Sequence, residues 1–189
     1  VRSRRQRQMC IRDRDMTAYS GMDALAHAVE AYLNRSNTKQ TKMLSEEAVE
    51  LIYDNLYPSY KNGQDIQLRT NMQRASYFAG KAFTRAYVGN IHAMAHALGA
   101  EYNVQHGRTV AVILPYILEE YGEAVHGKLA HLADIAKVTG TEDSDAVKAE
   151  KFIASIKDLN EKMNIGTSFP ELKTKDLKKL SAAAYKEAN

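Results

Sequence analysis

The sequence predicts an all-α protein, a helical bundle, on three observations. From Met16 onward, apolar residues recur at helical spacing nearly throughout. No alternation of strand and helix patterns is visible, which excludes a doubly wound α/β domain. None of the ten glycines falls in a GxGxxG, GGGS or P-loop stretch, so no glycine-rich turn is present to cradle a dinucleotide pyrophosphate.

Residues 1–14, VRSRRQRQMCIRDR, stand apart from that pattern. They hold six of the 26 basic residues and one of the 23 acidic ones, with no apolar periodicity. Written as DNA, QMCIRDR corresponds to CAG ATG TGT ATA AGA GAC AG, the in-frame end of a transposase sequencing adapter. Residues 4–14 are therefore set aside as a library-preparation scar, and residues 15–189 are taken as one helical metal-binding domain. A basic arm for nucleic acid or a membrane is the rival reading. The adapter explains the order of the residues and not only their charge.

Without this segment the formal charge falls from +3 to −2, and the basic pI no longer argues for a nucleic-acid partner. The only cysteine, Cys10, goes with it, which suits a reducing cytoplasm. No apolar run reaches the roughly 18 residues that suggest a membrane span, and no secretory leader is visible.

Thr17 or Ser20 is the expected cap of a helix to about Asn34, buried along Leu25, Ala28, Val29 and Tyr32. A polar turn, residues 35–40, leads to a second helix with Leu44, Ala48, Leu51, Ile52 and Leu56 on one side, ending near Pro58. Asp65 caps a third helix reaching Tyr87, whose small-residue middle, ASYFAGKAF, suits close approach of another helix, with Gly80 a packing residue. Asn90 caps a fourth, with Ile91, Met94, Ala95 and Leu98 at helical spacing and Gly99 at its end. The run after His106, RTVAVILPYILEEYG, reads as a buried strand in its first part and as a helix in its second. Three further amphipathic segments complete the chain. His126 and His131, about 140° apart round a helix, read as surface residues, and the 11 tyrosines as scattered packing.

The chemistry concentrates in two stretches. In SGMDALAHAVEAY, Asp23 and His27 lie at i and i+4 and point off one face. In GNIHAMAHALGAEYNVQHG, His92 and His96 share a helix face, and His106 precedes Gly107, where a glycine lets the backbone turn or approach closely. A carboxylate and imidazoles from two helices and a loop form an oxygen-plus-nitrogen set suited to iron(II) or zinc. His92 falls in the first turn of its helix, where the dipole disfavours the imidazolium and keeps the ring able to ligate. Isolated histidines on apolar faces are ordinarily core residues, and HxxxH arises by chance. Two such pairs with a His-Gly favour a metal site.

GMDALAHAVEAY followed by GNIHAMAHALGAEYNVQHG resembles the C-terminal half of the iron-dependent alcohol dehydrogenases, within the dehydroquinate synthase-like superfamily. The resemblance runs from about Met16 to the end. It implies metal ligands at Asp23, His27, His92 and His106, with His96 beside the metal as the residue that passes a proton. It implies a substrate-pocket aromatic at Phe83. It further implies Fe(2+), with Zn(2+) as the alternative, NAD or NADP as co-substrate, a small alcohol or aldehyde as substrate, and self-association into a homo-oligomer. An N-terminal dinucleotide-binding domain and a short C-terminal piece are expected outside this chain, which would then be inactive alone. Glu30, three residues beyond His27, is weighed as a partner that orients the His27 ring, against a solvated charge, the preferred reading.

Two other classes remain open. A zinc hydrolase built on HxxxH lacks the glutamate that follows the first histidine of zincins, since Ala93 follows His92. A zinc enzyme of the same superfamily, such as a glycerol dehydrogenase-like protein, is the nearer alternative. A helical scaffold with incidental histidines is the non-enzymatic one.

Overall fold

A computed structural model describes residues 4–188, with side chains from Arg14 onward, and the described residues contain eight α-helices and no strand. The helices are α1 (Arg4–Leu33), α2 (Lys39–Lys61), α3 (Ile66–Ala86), α4 (Asn90–Tyr102), α5 (His106–Tyr121), α6 (His126–Ile135), α7 (Asp145–Lys162) and α8 (Leu177–Ala188). Short 3-10 turns precede α6 and α8. No helix of the described residues is long and apolar enough to cross a membrane.

The helix starts are set by side chains that satisfy free backbone N–H groups. Asp65 accepts from the amides of Gln67 and Leu68 at 2.9 and 3.1 Å, as the sequence predicts. Thr38 and Thr41 form a reciprocal capping box at the start of α2, and Gln105 accepts from the Arg108 amide at 2.6 Å at the start of α5.

α1 runs through the bundle against α2, α3 and α5, while α4 lies between α5 and α8 and α7 packs on α5 and α6. The predicted stripes are inside: Leu25, Ala28, Val29, Ala48, Ile52 and Leu56 have no exposed surface. Two glycines permit close contacts with α1. A Cβ on Gly21 would lie 2.2 Å from Leu56 Cδ1, and one on Gly107 would lie 2.5 Å from the carbonyl oxygen of Tyr19.

Several boundaries and packing expectations are corrected. α1 does not begin at Thr17 or Ser20; it passes through both, and the Ser20 hydroxyl donates to the Met16 carbonyl at 2.6 Å instead of capping. No proline or glycine interrupts residues 4–20, so nothing stops the helix there. The adapter-derived reading of residues 4–14 falls almost wholly on side chains outside the described ones. α2 carries Pro58 inside its last turn and ends at Lys61. Gly99 does not end α4, which continues to Tyr102, where Asn103 adopts the left-handed conformation (φ 50°, ψ 34°) open to asparagine.

Gly80 faces open space, and the buried small-residue stripe of α3 is Ala75, Ala79, Ala82 and Ala86. Met94 is 37% exposed rather than core. The segment after His106 is helical from its first residue, with Pro115 held inside α5. Its whole Val110–Leu114 run is buried because α5 packs against α1, α4 and α7 at once. His131 is exposed as expected, whereas His126 is half-buried.

Candidate metal centre

Asp23 and His27 point from α1, His92 from the first turn of α4, and His106 from the first residue of α5. The three helices meet so that all three imidazoles reach the Asp23 carboxylate. His106 Nε2 lies 3.2 Å and His92 Nε2 3.5 Å from Asp23 Oδ1, and His27 Nε2 lies 3.6 Å from Oδ2. Asp23, His27 and His92 each offer a ligand atom, all within 4.8 Å of one another. Gly107 allows this arrangement: α5 starts against the α1 backbone at Tyr19, one turn before Asp23, only because no side chain intervenes.

The donor atoms lack ordinary partners. Among the described residues, Asp23 Oδ1, His27 Nδ1 and His92 Nε2 are buried without a hydrogen bond. Each such orphan costs about 1–3 kcal/mol, so Asp23 Oδ1 and His92 Nε2, which face each other at 3.5 Å, call for a common partner. Donors held about 2.0–2.1 Å from a tetrahedral ion stand roughly 3.3–3.4 Å apart, close to the 3.2–3.6 Å separations from Asp23. One carboxylate and three imidazoles are a chemically sound set for a divalent transition ion.

Electrostatics prepares most of the set. Burial alone would raise the Asp23 pKa, but His92, His27 and His106 hold it below the usual carboxylate range. Burial, with His92 close by, pushes His27 down to about 4, and burial also lowers His106 against the pull of Asp23. These two rings are neutral, with lone pairs to offer.

His92 departs from the expectation of a neutral ring. Burial opposes its charge, yet the carboxylates of Asp23 and Glu30 outweigh burial and push its pKa up to about 9. Two nearby full charges exceed the roughly half-charge of a helix end.

The remaining site residues surround this group. His27 is stacked between Phe83, at 4.2 Å between centroids, and His92, at 4.0 Å. Phe83 thus buttresses the His27 ring from α3. His96 is half-exposed, stacks on His106 at 5.1 Å, and engages Glu187 of α8 through Nδ1.

Sequence reasoning misplaced Glu30. It is neither a solvated charge nor a partner of His27; it is buried, with Oε2 on His92 Nδ1 and Oε1 accepting from the Ile91 amide at 2.8 Å. That bond serves the start of α4, where Gly89, not Asn90, is the N-cap and supplies no side chain. The spacing contained the signal: Asp23, His27 and Glu30 lie at i, i+4 and i+7, one stripe of α1.

The chain is similar to known proteins over nearly its whole length. Residues 17–189 match the Fe-containing alcohol dehydrogenase family, C-terminal. Alcohol dehydrogenase 4 of Saccharomyces cerevisiae is 37% identical over 175 residues, covering 92% of this chain and 45% of the relative. The 1,3-propanediol dehydrogenase of Klebsiella pneumoniae is 38% identical over 178 residues, covering 92% and 46%. A crystal structure of a 1,3-propanediol oxidoreductase superposes with a TM-score of 0.90 at 36% identity, covering 93% of this chain and 47% of that one. The chain thus spans about half the length of the relatives it matches. With the fold, the sequence and nearly the whole chain in agreement, this protein belongs to the Fe-containing alcohol dehydrogenase family, as its C-terminal helical domain.

Proposed function

We propose that this chain is the metal-binding half of an NAD(P)-dependent alcohol dehydrogenase that interconverts small alcohols with aldehydes or ketones by hydride transfer. The observation that carries the reading is the convergence of Asp23, His27, His92 and His106, with the facing buried atoms Asp23 Oδ1 and His92 Nε2 left without hydrogen bonds. These four residues would hold iron(II), with zinc as the alternative occupant. When bound, such an ion supplies Lewis-acid polarisation of the substrate oxygen.

The chain's own residues do the rest. Asp23 provides the negative charge that draws a cation to a site otherwise built of imidazoles. Phe83 holds the His27 ring in plane and gives the neighbourhood of the site an apolar wall for a small substrate. His96, with Nδ1 engaged by Glu187, keeps Nε2 for moving a proton between the reacting oxygen and solvent or a ribose hydroxyl. The dinucleotide is bound by groups outside this chain, since the described residues offer no glycine-rich phosphate turn.

Anaerobic titration with Fe(2+) or Zn(2+) tests this. The wild-type chain is expected to bind one ion, and Asp23→Asn and His106→Ala to lose stoichiometric binding. Unchanged metal content in both variants contradicts the proposal.

A further inference from the structure

We propose that Glu30 is a positioning residue for the metal centre, locking the His92 ring with its proton on Nδ1 and its Nε2 lone pair toward Asp23. The inference rests on the metal reading above. Glu30 is 4% exposed, and both of its oxygens are used: Oε2 on His92 Nδ1, Oε1 on the amide of Ile91. An ionised carboxylate can only accept, so it selects the Nδ1–H tautomer. On the neutral ring that a bound cation requires, His92 Nε2 then carries the lone pair, and this is the buried atom that faces Asp23 Oδ1 at 3.5 Å without a hydrogen bond.

The second bond gives the lock its rigidity. The start of α4 has no side-chain cap of its own, and Glu30 reaches across from α1 to satisfy it. One carboxylate thereby fixes the His92 ring and the backbone of the preceding residue together. Gly89 leaves it the room, because a Cβ there would sit 3.0 Å from Oε1. As Glu30 shares a helix with Asp23 and His27, α1 contributes two ligands and also the group that orients a third on α4.

The test is competitive zinc titration of the full chain against a chromophoric chelator, with Glu30→Gln, Asp23→Asn and wild type side by side. Glutamine can still accept from Ile91, but its amide donates to His92 Nδ1 and drives the proton onto Nε2. Glu30→Gln is expected to bind zinc about 10- to 100-fold more weakly, with unchanged far-UV circular dichroism. Wild-type affinity in Glu30→Gln, alongside lost binding in Asp23→Asn, overturns the role of Glu30 and leaves the metal reading standing. Absence of zinc binding in wild type removes both. Should Glu30→Gln fail to fold, imidazole nitrogen NMR of the zinc-loaded wild type decides. A protonated Nδ1 on His92 supports the lock, and zinc on Nδ1 overturns it.

Discussion

Phe83 bears on the proposed metal centre only through the His27 ring. Its ring lies 4.2 Å from the His27 ring at an interplanar angle of 16°, with His92 stacked on the other side. Aromatic pairs of this kind contribute about 0.5–1.5 kcal/mol beyond area burial, a factor of roughly 2 to 10 in affinity. Phe83→Ala is therefore expected to weaken zinc binding by that factor, while Phe83→Tyr retains it. Equal affinity in the alanine variant, measured by the same chelator competition, would show that His27 is held without its help. Of the site, Asp23, His27, His92 and His106 were legible because each is a ligand type at a helical or turn-adjacent position. The stripe shared by Asp23, His27 and Glu30 was legible too, but the partners of Glu30 were not: they lie 61 and 62 residues away, across a helix packing that no local pattern encodes.

At the scale of elements, the centre depends on how closely α5 approaches α1. Gly107 decides this, since an added Cβ would meet the Tyr19 carbonyl oxygen at 2.5 Å. Alanine in place of glycine ordinarily strengthens a helix by about 0.8–1 kcal/mol. Here overpacking, typically about 1–3 kcal/mol, outweighs it, because the obstacle is helix backbone and not a movable side chain. Gly107→Ala is expected to lower thermal stability and to weaken metal binding, since the shift carries His106 away from Asp23. A stabilised variant with undiminished metal affinity would contradict the close-approach argument.

The same scale explains what periodicity could and could not give. Asp65 was readable as a cap because its two bonds are local, at positions two and three residues ahead. The end of α4 was misread at Gly99 because a glycine permits the left-handed cap without requiring it; Asn103 takes that conformation instead. The Val110–Leu114 run was ambiguous because full burial erases the polar face that distinguishes helix from strand.

For the whole molecule, α1 and the distant, consecutive pair α4 and α5 bring three imidazoles to one carboxylate. The all-α architecture was readable from helical spacing and the lack of strand alternation, but this convergence is a property of the packed bundle alone. Family membership and the 0.90 TM-score to a 1,3-propanediol oxidoreductase agree with the bundle seen here. X-ray absorption of the chain loaded with one equivalent of zinc reads the proposed ligand set at the ion itself. A shell of nitrogen and oxygen donors near 2.0–2.1 Å is expected, with multiple scattering from three imidazoles. A sulfur shell, or multiple scattering from fewer than three imidazoles, would contradict it.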